Sequence, residues 1–237
     1  MKTISYIEAD LLAAQFRSRF GLGLTEPICV KTLLMKLCIT AVYRPLSENT
    51  FGVGCKSSGN KMFILVNSNT TIGRQHFTIA HELYHFYYDK HPEPHLCSNI
   101  YNSASEKNAN RFASSLLMPR EGILSMVCKE EVESRKVSLA TVLRLENYFE
   151  VSRSALLFRL KDIELIDSKR KEELKKLPVK ESAKDYGYDL SVYEKGNEGL
   201  TLGDFGEKAR ILFERGTISE GHYVELMNMI TYDRSKN

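Results

Sequence analysis

Apolar and polar positions recur along the chain with two different periods, and the switches between them mark out the elements. From Glu8 to Phe20 the period is helical: Leu11, Leu12, Gln15, Phe16 and Arg19 share a side, and Gly21 and Gly23 end the run. Pro27 opens a second helix that reaches Leu37 and buries Ile28, Leu33, Leu34 and Leu37. The period then shortens. Ile39 to Leu46, Phe51 to Cys55 and Met62 to Val66 are short β-rich runs, the last two separated by the turn formers Ser57-Ser58-Gly59-Asn60, which predicts an antiparallel hairpin. The hairpin leads into a helix capped by Thr70 or Thr71, with Ile72, Ile79, Leu83 and Phe86 as its apolar stripe and no proline or glycine from Arg74 to Lys90.

Helical spacing returns from Ser103 to Pro119, where Ala109, Phe112, Ala113, Leu116 and Leu117 trace a buried face. Further helices are predicted over Arg120 to Lys129, Ser138 to Phe149 and Ser152 to Leu165, with Ser138 and Ser152 as caps. Ser168 to Lys176 is charged on every side and reads as a solvated helix or linker, and Pro178 to Gly203 reads as irregular. A helical hairpin closes the pattern: Phe205 to Glu214, a stop at Gly216, then Ser219 to Ile230 with Tyr223, Leu226, Met227 and Ile230 facing inward.

Composition narrows the class. A chain of 237 residues, 43% of them hydrophobic, sustains one substantial core and a smaller satellite. The net charge of +3 is too modest to demand a nucleic-acid partner. Five scattered cysteines (Cys29, Cys38, Cys55, Cys97 and Cys128) form no C-x-x-C pair and read as reduced thiols of a cytoplasmic protein. Met1 to Asp10 carries acids and no long apolar core, which fits neither a secretory signal nor a mitochondrial presequence. No run of eighteen apolar residues occurs, so no membrane span is expected.

The chemistry concentrates in His81-Glu82-Leu83-Tyr84-His85. On a helix the two histidines stand one turn apart on one face, while Glu82 lies about 100° round from His81. Two neutral imidazoles can then hold a zinc ion, with the glutamate left to take a proton from water. The alternative is a pair of core histidines satisfied by backbone carbonyls beside a surface glutamate. His91-Pro92-Glu93-Pro94-His95 repeats the four-residue spacing, but its prolines forbid a helical pair and it reads as a solvated loop.

A zinc ion held by two histidines needs a third protein ligand if one position is to stay open. Glu106 continues the inward face of its helix at i−3 from Ala109 and i−7 from Ala113, and Asp89 and Glu93 are the competing acids. Ser103 and Glu106 also have the spacing of a capping box, in which the glutamate only returns to the Ser103 amide. Tyr84, Tyr87, Tyr88, Tyr101 and His76 are candidate oxyanion donors, and Met62 to Val66 is a candidate sheet edge for an extended substrate. The helices joined by Glu150-Val151 resemble a helix-turn-helix, with Arg153, Arg159 and Lys161 available for phosphates, although helical pairs are also common packing units.

Phe77-Thr78-Ile79-Ala80-His81-Glu82-Leu83-Tyr84-His85, together with Glu106-Lys107-Asn108-Ala109-Asn110-Arg111-Phe112-Ala113 and Leu116-Leu117-Met118-Pro119, resembles the ImmA/IrrE family of metallopeptidases. These are soluble proteins of bacteria and their mobile elements. The likeness runs from about Glu8 to Ile166 and does not place the last seventy or so residues. It implies an α+β, zincin-like, gluzincin-type fold with a small antiparallel sheet packed on the His81–His85 helix. The expected organisation is a metallopeptidase domain over 1–128, a helix-turn-helix-like segment over 129–166, and a charged linker with a helical hairpin over 167–237.

By the same likeness His81, His85 and Glu106 are zinc ligands and Glu82 is the catalytic base, with manganese a possible substitute in vitro. Tyr84 stands where the family often has glycine, which bears on the room beside the metal. The implied activity is endopeptidase cleavage of a partner Xre-type helix-turn-helix repressor, relieving repression after stress or DNA damage. The alternatives are a regulator that binds DNA or sequesters a repressor around a structural metal, a toxin–antitoxin component, and a hydrolase of small amides.

Overall fold

The computed structural model describes residues 2–57, 59, 61–89, 95–98 and 103–231, with the backbone alone at 95–98 and 231. In chain order the elements are α1 (Tyr6–Arg19), α2 (Val30–Lys36), β1 (Thr40–Arg44), β2 (Thr50–Lys56), β3 (Met62–Asn67), α3 (Ile72–Tyr88), β4 (His95–Ser98), α4 (Ala104–Leu117), α5 (Arg120–Leu124) and α6 (Lys129–Ser134). There follow α7 (Leu139–Phe149), α8 (Arg153–Asp162), α9 (Ser168–Lys175), α10 (Val179–Asp185), a 3₁₀ turn at Ser191–Tyr193, β5 (Thr201–Leu202), α11 (Phe205–Glu214) and α12 (Glu220–Thr231). The α+β class is as expected.

The strands form one sheet in the order β4-β2-β3-β1-β5. The predicted β2–β3 hairpin is antiparallel, with Gly54 opposite Ile64 and Gly52 opposite Val66. The sheet as a whole is mixed and not purely antiparallel, because β1 runs parallel to β3 with Ala41 opposite Ile64. Two strands against β3 also overturn one expectation: Met62 to Val66 is an interior strand with both sides paired, so it offers no edge to a substrate.

Ile39, Ala41, Tyr43, Ile64 and Val66 of the sheet, Ile79, Leu83 and Phe86 of α3, and Phe112 and Leu116 of α4 make one continuous core. Burying a side chain of this kind is worth roughly 1.5–3 kcal/mol. Helix α3 therefore lies between sheet and α4, and its polar residues have little access to water.

Several elements differ from the sequence reading: α2 starts at Val30 and not at Pro27, and the stretch from Pro178 to Gly203, read as irregular, contains α10, the 3₁₀ turn and β5. Helix α1 begins two residues early because Ser5 and Glu8 form a capping box, and it buries Ala9, Ala13, Phe16 and Arg17. The predicted stripe was displaced: Leu11 is 58% exposed, while Arg17 is buried with Nε and Nη2 donating to Leu116 O at 2.9 and 2.6 Å. The helix expected from Arg120 to Lys129 stops at Leu124, closed by Ser125, and α6 begins only at Lys129 and runs beyond the sequence reading.

The chain after Asp167 is folded back on the rest. Glu194 O accepts from Ile72 N at 2.9 Å, and Gln75 Nε2 donates to Gly196 O at 3.0 Å, which ties this region to the start of α3. In the α11–α12 hairpin Tyr223, Leu226, Met227 and Ile230 face inward but stay half-buried, and Val224 and Met229 are 48% exposed.

Candidate metal centre

Helix α3 has no glycine or proline after Gly73, so it runs straight through His81 and His85 and presents both rings to α4. Each ring is tied at one nitrogen. His81 Nδ1–H donates to Asn110 Oδ1 at 3.0 Å, and His85 Nδ1–H donates to Asp89 Oδ2 at 2.6 Å. Asp89 is in turn held by the Ser105 hydroxyl, which donates to its two oxygens at 3.0 and 2.8 Å. With the protons fixed on Nδ1, the neutral rings carry lone pairs on Nε2.

Those lone pairs converge. The two Nε2 atoms are 3.1 Å apart, and the Glu106 carboxylate lies 3.2 Å from that of His81 and 3.4 Å from that of His85. Three acceptors meeting at one point repel one another unless a cation sits among them. Ligands held at about 2.0–2.1 Å on a tetrahedral ion are spaced about 3.3 Å apart, which is the spacing present here. The donor set therefore fits a divalent metal ion, and His81, His85 and Glu106 are the residues that can hold it.

Glu106 enters from the first turn of α4. Ser103 caps this helix, its hydroxyl accepting from Glu106 N at 3.2 Å, so half of the capping box exists. The glutamate side chain goes to the imidazoles. Burial raises its pKa, and positive charge on the imidazole side, from protonated rings or, when the rings are neutral, from a bound cation, outweighs that and holds it below the usual carboxylate range. Asp89, the competing acid, is on the outer side of His85; Glu93 lies outside the described residues.

The histidines and the capped acid were legible in the sequence, whereas the outer partners were not. Their signal was periodic: Asn110 is one turn after Glu106 and Asp89 one turn after His85. Glu82 is fully buried beside Gly54 of β2, on a face of α3 next to the histidine pair.

The candidate oxyanion donors are mostly committed elsewhere. His76 Nδ1 meets Glu150 O at 3.0 Å, Tyr88 donates to Leu12 O at 3.3 Å, and Tyr87 packs edge-on against Phe16. Tyr84 is buried, 5.8 Å from both His85 and Phe112 by ring centroid, so it braces the ligand pair. Tyr101 and residues 91–94 lie outside the described residues, and His95 opens β4.

The helix-turn-helix-like pair exists as α7 and α8 with both serine caps in place. Two of its proposed phosphate contacts are withdrawn from solvent. Arg153 is 4% exposed and paired with Glu146, while Arg159 is 1% exposed and donates to Met118 O and Asp10. A cavity of about 620 Å³ lined by Arg135, Lys136, Asp167, Lys169, Arg170 and Glu173 shares no residue with the metal centre.

No helix among the described residues is long and apolar enough to cross a membrane. No curated protein matches the chain. A family model described as the IrrE N-terminal-like domain, of the M78 peptidases, matches residues 36–161, more than half of the 237. That span contains the sheet from β1 to β3, both histidines and Glu106, and the chain belongs to this peptidase family.

Proposed function

We propose that the chain is a zinc-dependent endopeptidase whose substrate is a helix-turn-helix repressor of the Xre type, with manganese able to replace zinc. The observation that carries the peptidase reading is the meeting of two Nδ1-tethered imidazoles and a carboxylate from a second helix. His81, His85 and Glu106 hold the cation, which when bound supplies Lewis acidity to polarise a carbonyl and acidify water. Asn110 and Asp89 keep the rings in the tautomer that offers Nε2.

Glu82 is the base: a carboxylate oxygen accepts the proton of the attacking water and returns it to the departing amine. Its burial removes competing water, which strengthens every charge interaction around it. The repressor as substrate rests on family likeness.

The test is to incubate the purified chain, with zinc or manganese, with the repressor encoded beside it. Two fragments on a gel are expected, and none with Glu82→Gln, which keeps its metal. An intact repressor held in a salt-sensitive complex would support the sequestering regulator instead.

A further inference from the structure

We propose that Gly54 is a positioning residue for the Glu82 carboxylate, its missing side chain being the space that holds the base in place. This rests on the reading of Glu82 given above. Helix α3 crosses β2 with Thr78 and Glu82, one turn apart, over Gly52 and Gly54. The rise of four helical residues, about 6 Å, nearly equals that of two strand residues, so the two rows stay in step. A methyl group at Gly54 would stand 2.0 Å from Glu82 Oε2, 2.9 Å from its Cδ and 3.3 Å from Phe86 Cε1.

The carboxylate has nowhere easy to retreat. Glu82 is 0% exposed and Phe86, 2% exposed, lies against the same point of β2. Added bulk at Gly54 therefore moves the base relative to His81 and His85, and a displacement near 1 Å costs roughly 10²-fold in turnover. Gly52 supplies the contrast. A methyl there would meet Leu65 O and Thr78 Cγ2, both at 2.8 Å, on the same strand and helix but away from the carboxylate.

The experiment compares Gly54→Ala and Gly52→Ala in the full chain, reading zinc stoichiometry, melting temperature, and kcat and KM on the repressor and on labelled casein. Gly54→Ala is expected to bind zinc as the wild type does and keep KM within about twofold while kcat falls roughly 10²-fold. The double variant Gly54→Ala/Glu82→Gln falls no lower than Glu82→Gln alone, and Gly52→Ala keeps its kcat. Wild-type kcat in Gly54→Ala, or an equal loss in both glycine variants, overturns the proposal.

If Gly54→Ala fails to fold, Gly54→Ala/Glu82→Asp decides, because the shorter acid vacates the space. A folded double variant supports the contact, and an equally unfolded one overturns it. If the wild type binds zinc yet cleaves neither substrate, the peptidase reading fails separately. The melting temperatures of Gly54→Ala with and without Glu82→Asp then decide the shared space alone: recovery supports it and no recovery overturns it.

Discussion

Two clusters of buried polar groups, one between α7 and α8 and one between α3 and α4, resolve their charge in opposite ways. Between α7 and α8, Glu146 accepts from Arg153 and, at 2.7 Å, from the Tyr193 hydroxyl. Burial raises the Glu146 pKa and the Arg153 charge opposes the rise, so cation and anion come from the chain itself. Between α3 and α4, by contrast, two imidazole nitrogens and a carboxylate present lone pairs to one another, and the outer partners of the rings are acceptors too. The first arrangement is balanced in charge by the chain's own groups. The second calls for a positive ion, and that difference separates a clamp from a site.

The largest expected effect tests the second cluster through chemistry. Glu82→Gln should lower kcat by about 10²–10⁴-fold while zinc content stays stoichiometric, and retained cleavage would remove Glu82 from the role of base. Next, Glu146→Ala strands the Arg153 guanidinium and should cost about 3–5 kcal/mol in denaturant unfolding, with zinc affinity unchanged. A matching loss of zinc affinity would mean that the two clusters are coupled.

Smaller effects are expected from the outer partners. Asn110→Ala and Asp89→Ala should each weaken zinc binding by about 10–100-fold in a competition titration, since each frees a ring nitrogen that is now tied. Zinc at a hundredfold excess over Kd should stabilise the wild type by about 2.7 kcal/mol, and Glu106→Ala should lose that gain.

The smallest effect concerns pH. Burial pushes the Asp162 carboxyl up to about 6 from 3.8, against the lowering influence of Tyr6 and Arg159. The folded chain keeps this proton through a window in which an unfolded aspartic acid has released it, so ionisation drains stability as pH rises from about 4 to about 6. Asp162→Asn should therefore gain on the wild type in melting temperature across that window and not below it. A constant difference would place the shift elsewhere.

These contrasts also explain what the sequence disclosed. His81 and His85 were readable because a helical turn fixes their relation locally. Glu106 was ambiguous because one spacing serves both a cap and a ligand, and the structure uses the backbone for one and the side chain for the other. The stripe of α1 was misplaced because Arg17, polar by type, is buried as a donor to the end of α4, a long-range demand that periodicity does not register. The pairing of β3 with β1 escaped for a similar reason. Parallel neighbours are chosen by the crossover, not by any turn between them.

Arg17 and Arg159 have a consequence for how the centre tolerates change. They grip Leu116 O and Met118 O, about 15 Å along α4 from Glu106, while Asn108 accepts from Ile4 N and donates to Lys2 O and Ser105 donates to Asp89 at the leading end, so the helix that delivers the carboxylate is moored at both ends. The carboxylate is therefore placed by packing on both sides of it, and a change at either mooring reaches the metal centre.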